Sequence, residues 1–322
     1  MAAPEFRSLD EFEYGTVDQV TPLVRRVIAN NPSKFTYHGT GTYLVGHGDV
    51  VVIDPGPSID SHRDALAAAL EGERVRAILV THCHADHSPL AAWMRDEYDA
   101  PTFAFGPHPE PDPAMVPPPE RDEHDDGTDD GAGGEPVAIE ESTDFDFTPD
   151  HAVVDGDLVV SGGGVTMRAV HTPGHTSNHT CWTLDEESTL FSGDHVMGWS
   201  TTVVSPPDGD MTAYIDSLRK VAGRGDAVLW PTHGPQRADA RTYVSALVDH
   251  RLAREAAVLA QIRAGKTTAR EIVEVLYTDV RPELHKPARH SVWGHLTKLV
   301  DDGLVAVDGG GLAVIDAHYR AV

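Results

Sequence analysis

Cysteine is nearly absent from this chain: Cys83 and Cys181 are the only two in 322 residues. Two thiols cannot build the disulfide framework of a small secreted domain, so both are expected to be free, in a reducing compartment. No apolar run approaches the roughly 18 residues of a membrane span, and no internal repeat is evident. The opening MAAPEFRSLDEFEYG carries acids where an export signal needs a basic stretch followed by an apolar one. These absences predict a cytoplasmic protein without a membrane partner. Basic residues are also scarce, 25 against 51 acids, leaving a formal charge of −26. That excludes general attraction to nucleic acid or anionic membranes and restricts any RNA contact to a local patch.

What is present is ordinary for a globular protein, 40% hydrophobic and 24% charged, and long enough for one large domain with a smaller appendage. Residues 35–54 read as a hairpin, FTYHGTGTYLV and VVVID around Gly-His-Gly-Asp. SHRDALAAAL, residues 61–70, predicts a helix behind a Ser61 cap, and RVRAILVTH a buried strand ending at His82. Between 107 and 151 fifteen acids face a single arginine in a Pro- and Gly-rich stretch. This predicts a solvated insertion, with His108, His124 and His151 discounted as ligands. Strands return in LVVSGGGVTMRAVH, CWTL, TLFSGDHV and AVLWPTHG, with a helix in MTAYIDSLRKVAG. After Gln236 the pattern turns helical: 240–264, TTAREIVEVLY opened by Thr267 and Thr268, and 288–300. A hairpin LVAVDGGGLAVI follows, and together these read as a winged-helix-like tail. Residues 1–236 are therefore expected to form one domain and 237–322 a second.

Nineteen histidines is a high count, and the densest cluster, THCHADH, follows the buried strand. His82 and His84 alternate around Cys83 and can converge on one ion, while Asp86 and His87 can serve another; imidazole and carboxylate suit zinc-like ions. Three more candidates recur at strand ends, each flanked by a glycine: His175 in HTPGHTSNH, Asp194 in FSGDHV and His233 in PTHGP. His171, His179 and His195 are assigned supporting or packing roles. Trp199, Ser200, Thr201 and Thr202 are candidates to line a pocket.

The order and contexts of Asp54 in VIDPGP, HCHADH, His175, Asp194 and His233 resemble the metallo-β-lactamase superfamily. That resemblance implies an α/β fold, an αββα sandwich. It further implies His82, His84 and His175 on a first metal, Asp86, His87 and His233 on a second, Asp194 bridging, and Asp54 orienting ligands from behind. Two zinc ions are the implied cofactor, with iron or manganese as alternatives. Two such ions supply hydroxide at neutral pH, which Asp86 would orient and whose proton it could take. Cys83 does not stand where lactamases with a Cys ligand carry it, which argues against antibiotic hydrolysis.

Through its tail, the chain is most similar to the β-lactamase-like protein 2 group, itself similar to glyoxalase II. It departs from that group at Gly41, where many relatives have Asn in GTNTYL, and in the acidic insertion. The expected activity is hydrolysis of a small ester or thioester; the alternative is an endoribonuclease acting on single-stranded RNA, with Arg251, Arg254, Arg289 and Lys298 contacting phosphates. The insertion, lying between ligand motifs, would shield the entrance from polyanions and favours the small substrate. The tail would pack on the metal domain or on a second subunit of a homodimer.

Overall fold

The computed structural model describes residues 4–116, 142–278 and 284–322. Seven strands lie side by side in chain order: β1 (Val17–Gln19), β2 (Val24–Ile28), β3 (Gly41–Val45), β4 (Asp49–Ile53), β5 (Arg74–Leu79), β6 (Thr102–Ala104) and β7 (His151–Ala152). Alternation along β3 and β4 decides how this sheet is covered. Tyr43, Val45, Val51 and Ile53 point to one side, where they meet Trp182 and Phe191. Leu44, Val50 and Val52 point to the other, onto Leu66 of α1 (Asp60–Ala69) and Met94 of α2 (Leu90–Tyr98).

The second sheet holds β8 (Leu158–Gly162), β9 (Val165–His171), β10 (Thr180–Leu184), β11 (Thr189–Gly193) and β12 (Val228–Pro231) in the order β12-β11-β10-β9-β8. Val165, Met167, Ala169, Trp182 and Leu184 face the first sheet. Val170, Cys181 and Leu190 face α3 (Met211–Ala222) and the start of α4 (Ala240–Arg263). The layers are therefore helix, sheet, sheet, helix, the predicted sandwich, because each sheet has two apolar faces to bury. Both cysteines are free and buried.

Several local expectations change. The 35–54 hairpin forms only from Gly41. Residues 31–40 close a turn of their own, in which Thr36 Oγ1 donates to Asn31 O and Asn31 Oδ1 accepts from Thr40 N at 2.9 Å, so their polar groups are already used. Helix α1 starts at Asp60 after an extended Ile59 with no side-chain cap, which places Ser61 inside the helix. The insertion is narrower than its composition suggests. Asp144 N donates to Cys83 O at 2.7 Å, Ala85 N donates to Ser142 O at 2.8 Å, Phe147 is buried under α2's layer, and His151 lies in β7. Acids on either side of Phe147 hide this anchor in the sequence. The rest of the acidic run, His124 included, lies outside the described residues.

The tail consists of the second half of α4, then α5 (Ala269–Leu276), α6 (His285–Asp301) and a ribbon of β13 (Val305–Val307) with β14 (Tyr319–Ala321). The return strand is thus 319–321, and not Leu312–Ile315 as the sequence suggested; Tyr319 is wholly buried against α5 and α6 and supplies the anchor. One stripe of α4, Ala240, Tyr243, Val244, Leu247, Arg251, Val258 and Ile262, is buried along its whole length, first by the second sheet's helical layer and then by the tail. Helix α5 opens with a reciprocal cap, Glu271 N to Thr268 Oγ1 and Thr268 N to Glu271 Oε2, both at 3.2 Å. Thr268→Ala is expected to destabilise the tail by about 1 kcal/mol, read as an earlier urea midpoint for the tail's helical signal; an unchanged midpoint would contradict the cap's role.

Candidate metal centre

Strand ends build this site. Asp54 follows β4, His82 follows β5 by three residues, His175 follows β9, Asp194 follows β11 directly and His233 follows β12. All seven predicted ligands meet at one edge of the sandwich. His82 Nε2 and His84 Nδ1 lie 2.9 Å apart, and His175 Nε2 is 3.3 Å from the same His84 atom. On the other side Asp86 Oδ2 is 3.3 Å from His87 Nε2 and 3.2 Å from His233 Nε2. Asp194 stands between the two groups: Oδ2 lies 4.0 Å from His175 Nε2, while Oδ1 lies 3.4 Å from His233 Nε2 and 3.7 Å from His87 Nε2.

Glycine makes room for this approach at two points. Gly193 has φ +51, and a Cβ there would sit 2.6 Å from His179 Nε2, so only glycine lets β11 deliver Asp194 beside that ring. Gly174 has φ +135 and presses on the Tyr214 backbone at 2.3 Å from where a Cβ would be, fixing the turn that carries His175.

Behind the seven is a single buried carboxylate. Asp54 Oδ1 accepts from Thr81 N at 2.8 Å; its Oδ2 accepts from Thr81 Oγ1 at 2.8 Å, His87 Nδ1 at 2.9 Å and Thr232 Oγ1 at 3.0 Å. Because Nδ1 of His87 donates to Asp54, its Nε2 is left to face the site. The Thr81 hydroxyl, having given its proton to Asp54, accepts from His82 Nδ1 at 3.1 Å. His175 Nδ1 donates to Val203 O at 2.7 Å, His233 Nδ1 to Gly39 O at 3.1 Å, and Thr40 Oγ1 donates to Asp86 Oδ2 at 2.8 Å. Thr40, Thr81 and Thr232 went unnoticed in the sequence, although the repeated Thr-His pairs at 81–82 and 232–233 were a visible signal.

Burial and the neighbouring imidazoles hold His82 and His84 well below the usual histidine range, and burial lowers His175 too. These rings are free bases at neutral pH, as metal binding requires. Burial alone would also lower His87 and His233. The Asp86, Asp194 and Asp54 carboxylates outweigh it at His87, which is raised well above its ordinary value, and Asp194 and Asp86 raise His233 to about 10. So much buried negative charge calls for a cation. His87 Nε2 and Asp194 Oδ1 are buried, face each other and have no hydrogen-bond partner among the described residues, a rarity that an ion between them would remove. Imidazole and carboxylate donors in these numbers fit zinc or a similar divalent ion. By donor atoms the sets that can share an ion are His82 with His84 and His175, His82 with His87 and Asp194, and Asp86 with His87 and His233.

The neighbours sort cleanly. His179 Nε2 accepts from Asp194 N at 3.2 Å, while His195 packs against Tyr214 and His171 stacks on Phe105 away from the site. Thr202 is buried and donates to Asp194 O at 2.6 Å, so it positions the Asp194 loop instead of lining a pocket. Trp199, Ser200 and Thr201 do line one. Gly41 donates its N–H to Thr232 O at 2.9 Å, and a Cβ there would come to 3.2 Å from that oxygen, which leaves little space for a side chain. Cys83 turns away from the cluster, its sulfur 3.0 Å from Asn178 Nδ2, and burial pushes the thiol up to about 12.

Three of the four basic residues expected at RNA phosphates are engaged elsewhere. Arg251 is buried and donates to Thr202 O, Arg289 pairs with Asp316, and Lys298 pairs with Asp302 and Glu255. A helix face that satisfies its own carboxylates offers little to a polyanion. Among the described residues, no helix is long and apolar enough to cross a membrane.

Known proteins resemble the chain in both of its parts. Residues 38–233 match the family model of the Metallo-beta-lactamase superfamily, and 268–312 that of the Beta-lactamase associated winged helix domain. The atrochrysone carboxyl ACP thioesterase nsrC of Aspergillus novofumigatus is 28% identical over 92% of this chain and 84% of its own length. The lactamase-like protein adaB of Aspergillus niger is 29% identical over 91% and 85%. Among solved structures, a beta-lactamase domain protein from Burkholderia ambifaria superposes with a TM-score of 0.74 at 23% identity, covering 97% of this chain and 96% of that one. A metallo-beta-lactamase family protein from Thermus thermophilus gives 0.69 at 24%, covering 94% and 100%. At such identities the two structures speak for the fold alone.

If Asp54 sets the ring orientations, Asp54→Asn weakens divalent-ion binding by about 10–100-fold, measured by competition with a chelating dye, while the folded circular dichroism spectrum persists. Wild-type affinity in the variant would remove Asp54 from the account.

Proposed function

This chain belongs to the metallo-beta-lactamase superfamily, and from that membership we propose that it is a two-metal hydrolase of thioesters. The observation that carries the reading is Asp194, whose two oxygens face different imidazole groups, as a carboxylate shared by two ions does. His82, His84 and His175 would hold one ion, and Asp86, His87 and His233 the other. Ions so placed supply a hydroxide nucleophile at neutral pH and polarise the carbonyl under attack.

The chain's own residues do the remainder. Asp86 Oδ2, held by Thr40 Oγ1 at 2.8 Å, lies 3.2 Å from His233 Nε2 and can accept and hold the nucleophile's proton. Beside His87 and His233, which outweigh the cost of burial, its carboxyl is held well below the usual carboxylate range and stays ionised. The cleft over the site is walled by Phe35, Met197 and Val203, which limits bulk water around the scissile bond.

Thioesters are preferred over other acyl compounds because relatives aligned over nine-tenths of this chain are named as carboxyl ACP thioesterases. Zinc is the metal the donor set favours, with iron and manganese compatible. Purified protein loaded with zinc is expected to release thiol from S-acyl-N-acetylcysteamine and acyl-coenzyme A substrates, and His84→Ala to lower that rate by more than about 100-fold together with metal content. Thiol release unaffected by a chelator, or metal-dependent cleavage of single-stranded RNA with no thioester turnover, would overturn the reading.

A further inference from the structure

Next to the metal cleft, sharing its Phe35, Met197 and Val203 walls, lies a chamber of about 280 Å³ bounded on the far side by α4, Tyr277, Leu284 and the start of α6. That is close to the lower size of small-ligand sites, roughly 300 Å³. Its lining is mainly apolar and aromatic, with Trp199 and Tyr277 among the walls. Among the described residues, the charged ones that line it are all cations: Lys34, Arg251 and Arg254. In a chain of net charge −26, a chamber with three cations and no acid in its described lining is not what composition alone would produce.

Among the described residues, none of the three has a carboxylate partner. Arg251 is fixed by its bond to Thr202 O. Arg254 lies 4.3 Å over the Tyr277 ring and makes one hydrogen bond, to Leu276 O at 3.3 Å, which leaves most of its guanidinium donors uncommitted. Lys34 is exposed, its ammonium over the Phe35 ring. His250, also in the lining, has a buried Nδ1 without a partner among the described residues; burial and the Arg251 and Arg254 charges hold it down to about 4, so it adds no charge of its own.

We infer that this chamber recognises an apolar group bearing an anion on the substrate, with Arg254 as the anion's main partner and Lys34 adding to the field. The assignment takes the substrate's identity as a thioester from the reading above; the binding site itself stands on the charges and walls just described. A buried or half-buried guanidinium stacked on an aromatic ring suits a planar carboxylate, phenolate or phosphate. The anion can belong to the acyl group or to a phosphate on the thiol arm, and the chemistry at Arg254 is the same for both.

Binding is tested without turnover by titration calorimetry of the full chain with naphthalene-2-sulfonate, a weak metal ligand, against the neutral methyl 2-naphthyl sulfone. The sulfonate is expected to bind about ten-fold tighter or better, Arg254→Gln to abolish that preference, and Arg254→Lys to keep part of it. Equal affinity for the two probes overturns the assignment, as does an equal loss in Arg254→Gln and Arg254→Lys, which would trace the effect to packing. Two substrate pairs then locate the anion: acetyl-coenzyme A with S-acetyl-N-acetylcysteamine for the thiol arm, glutaryl with valeryl N-acetylcysteamine thioesters for the acyl group. Arg254→Gln is expected to raise KM about ten-fold more for the anionic member of one pair; equal increases across both pairs overturn the assignment. Sulfonate preference in a protein that turns over no thioester would leave the chamber standing and remove the thioester reading instead.

Discussion

Asp54 is a wholly buried carboxylate, and the site depends on the four hydrogen bonds that keep it there. It accepts from the backbone and hydroxyl of Thr81, from Thr232 and from the imidazole of His87, groups that come from the ends of β5 and β12 and from the loop between β5 and α2. A charge taken out of water must be matched by donors of this number or it destabilises the fold. The same bonds therefore hold two strand ends together and aim His82 and His87 at a common point. The partners that satisfy Asp54 are thus the neighbours of the ligands, or, in His87, a ligand candidate itself.

Geometry around Asp194 explains why the cluster divides into two groups. One oxygen looks toward His175 and the other toward His87 and His233, while the backbone N–H of Asp194 is held by His179 and its carbonyl by Thr202. With both ends of the residue pinned, the carboxylate has little freedom to choose a side. Preorganisation of this kind spares the site reorganisation when charge develops in the reaction.

Much of this could be read from the amino acids. The ligands announced themselves as His and Asp past the ends of apolar strands, four of them clustered in HCHADH and three, His175, Asp194 and His233, beside a glycine that permits the turn; Gly174 and Gly193 do carry positive φ. The sandwich was implied by the resemblance those motifs carry, and the alternating faces of β3 and β4 show why it forms. What stayed hidden has a common cause, which is that it depends on contacts between distant segments. Phe147 anchors the far end of an acidic stretch whose composition suggests only solvation, and Tyr319 pairs the last strand across a span where Leu312–Ile315 looked the better partner. The basic residues of the tail could not be judged until their partners were seen. Three of them are already engaged, while Arg254 has no carboxylate among the described residues and faces a chamber walled by the loops before β3 and after β11 and by helices of the tail.

The tail thus contributes to the site by closing a wall, with one stripe of α4 shared between the second sheet's helical layer and the winged-helix core. The nucleophile and the proton acceptor of the proposed reaction both presume that Asp194 is shared by two ions. Anomalous diffraction at the zinc edge from crystals of the zinc-loaded protein tests this most directly. The account predicts two peaks about 3.5 Å apart, one beside His82, His84 and His175 and one beside Asp86, His87 and His233, with an Asp194 oxygen on each. A single peak, or Asp194 bound to one ion only, would contradict it.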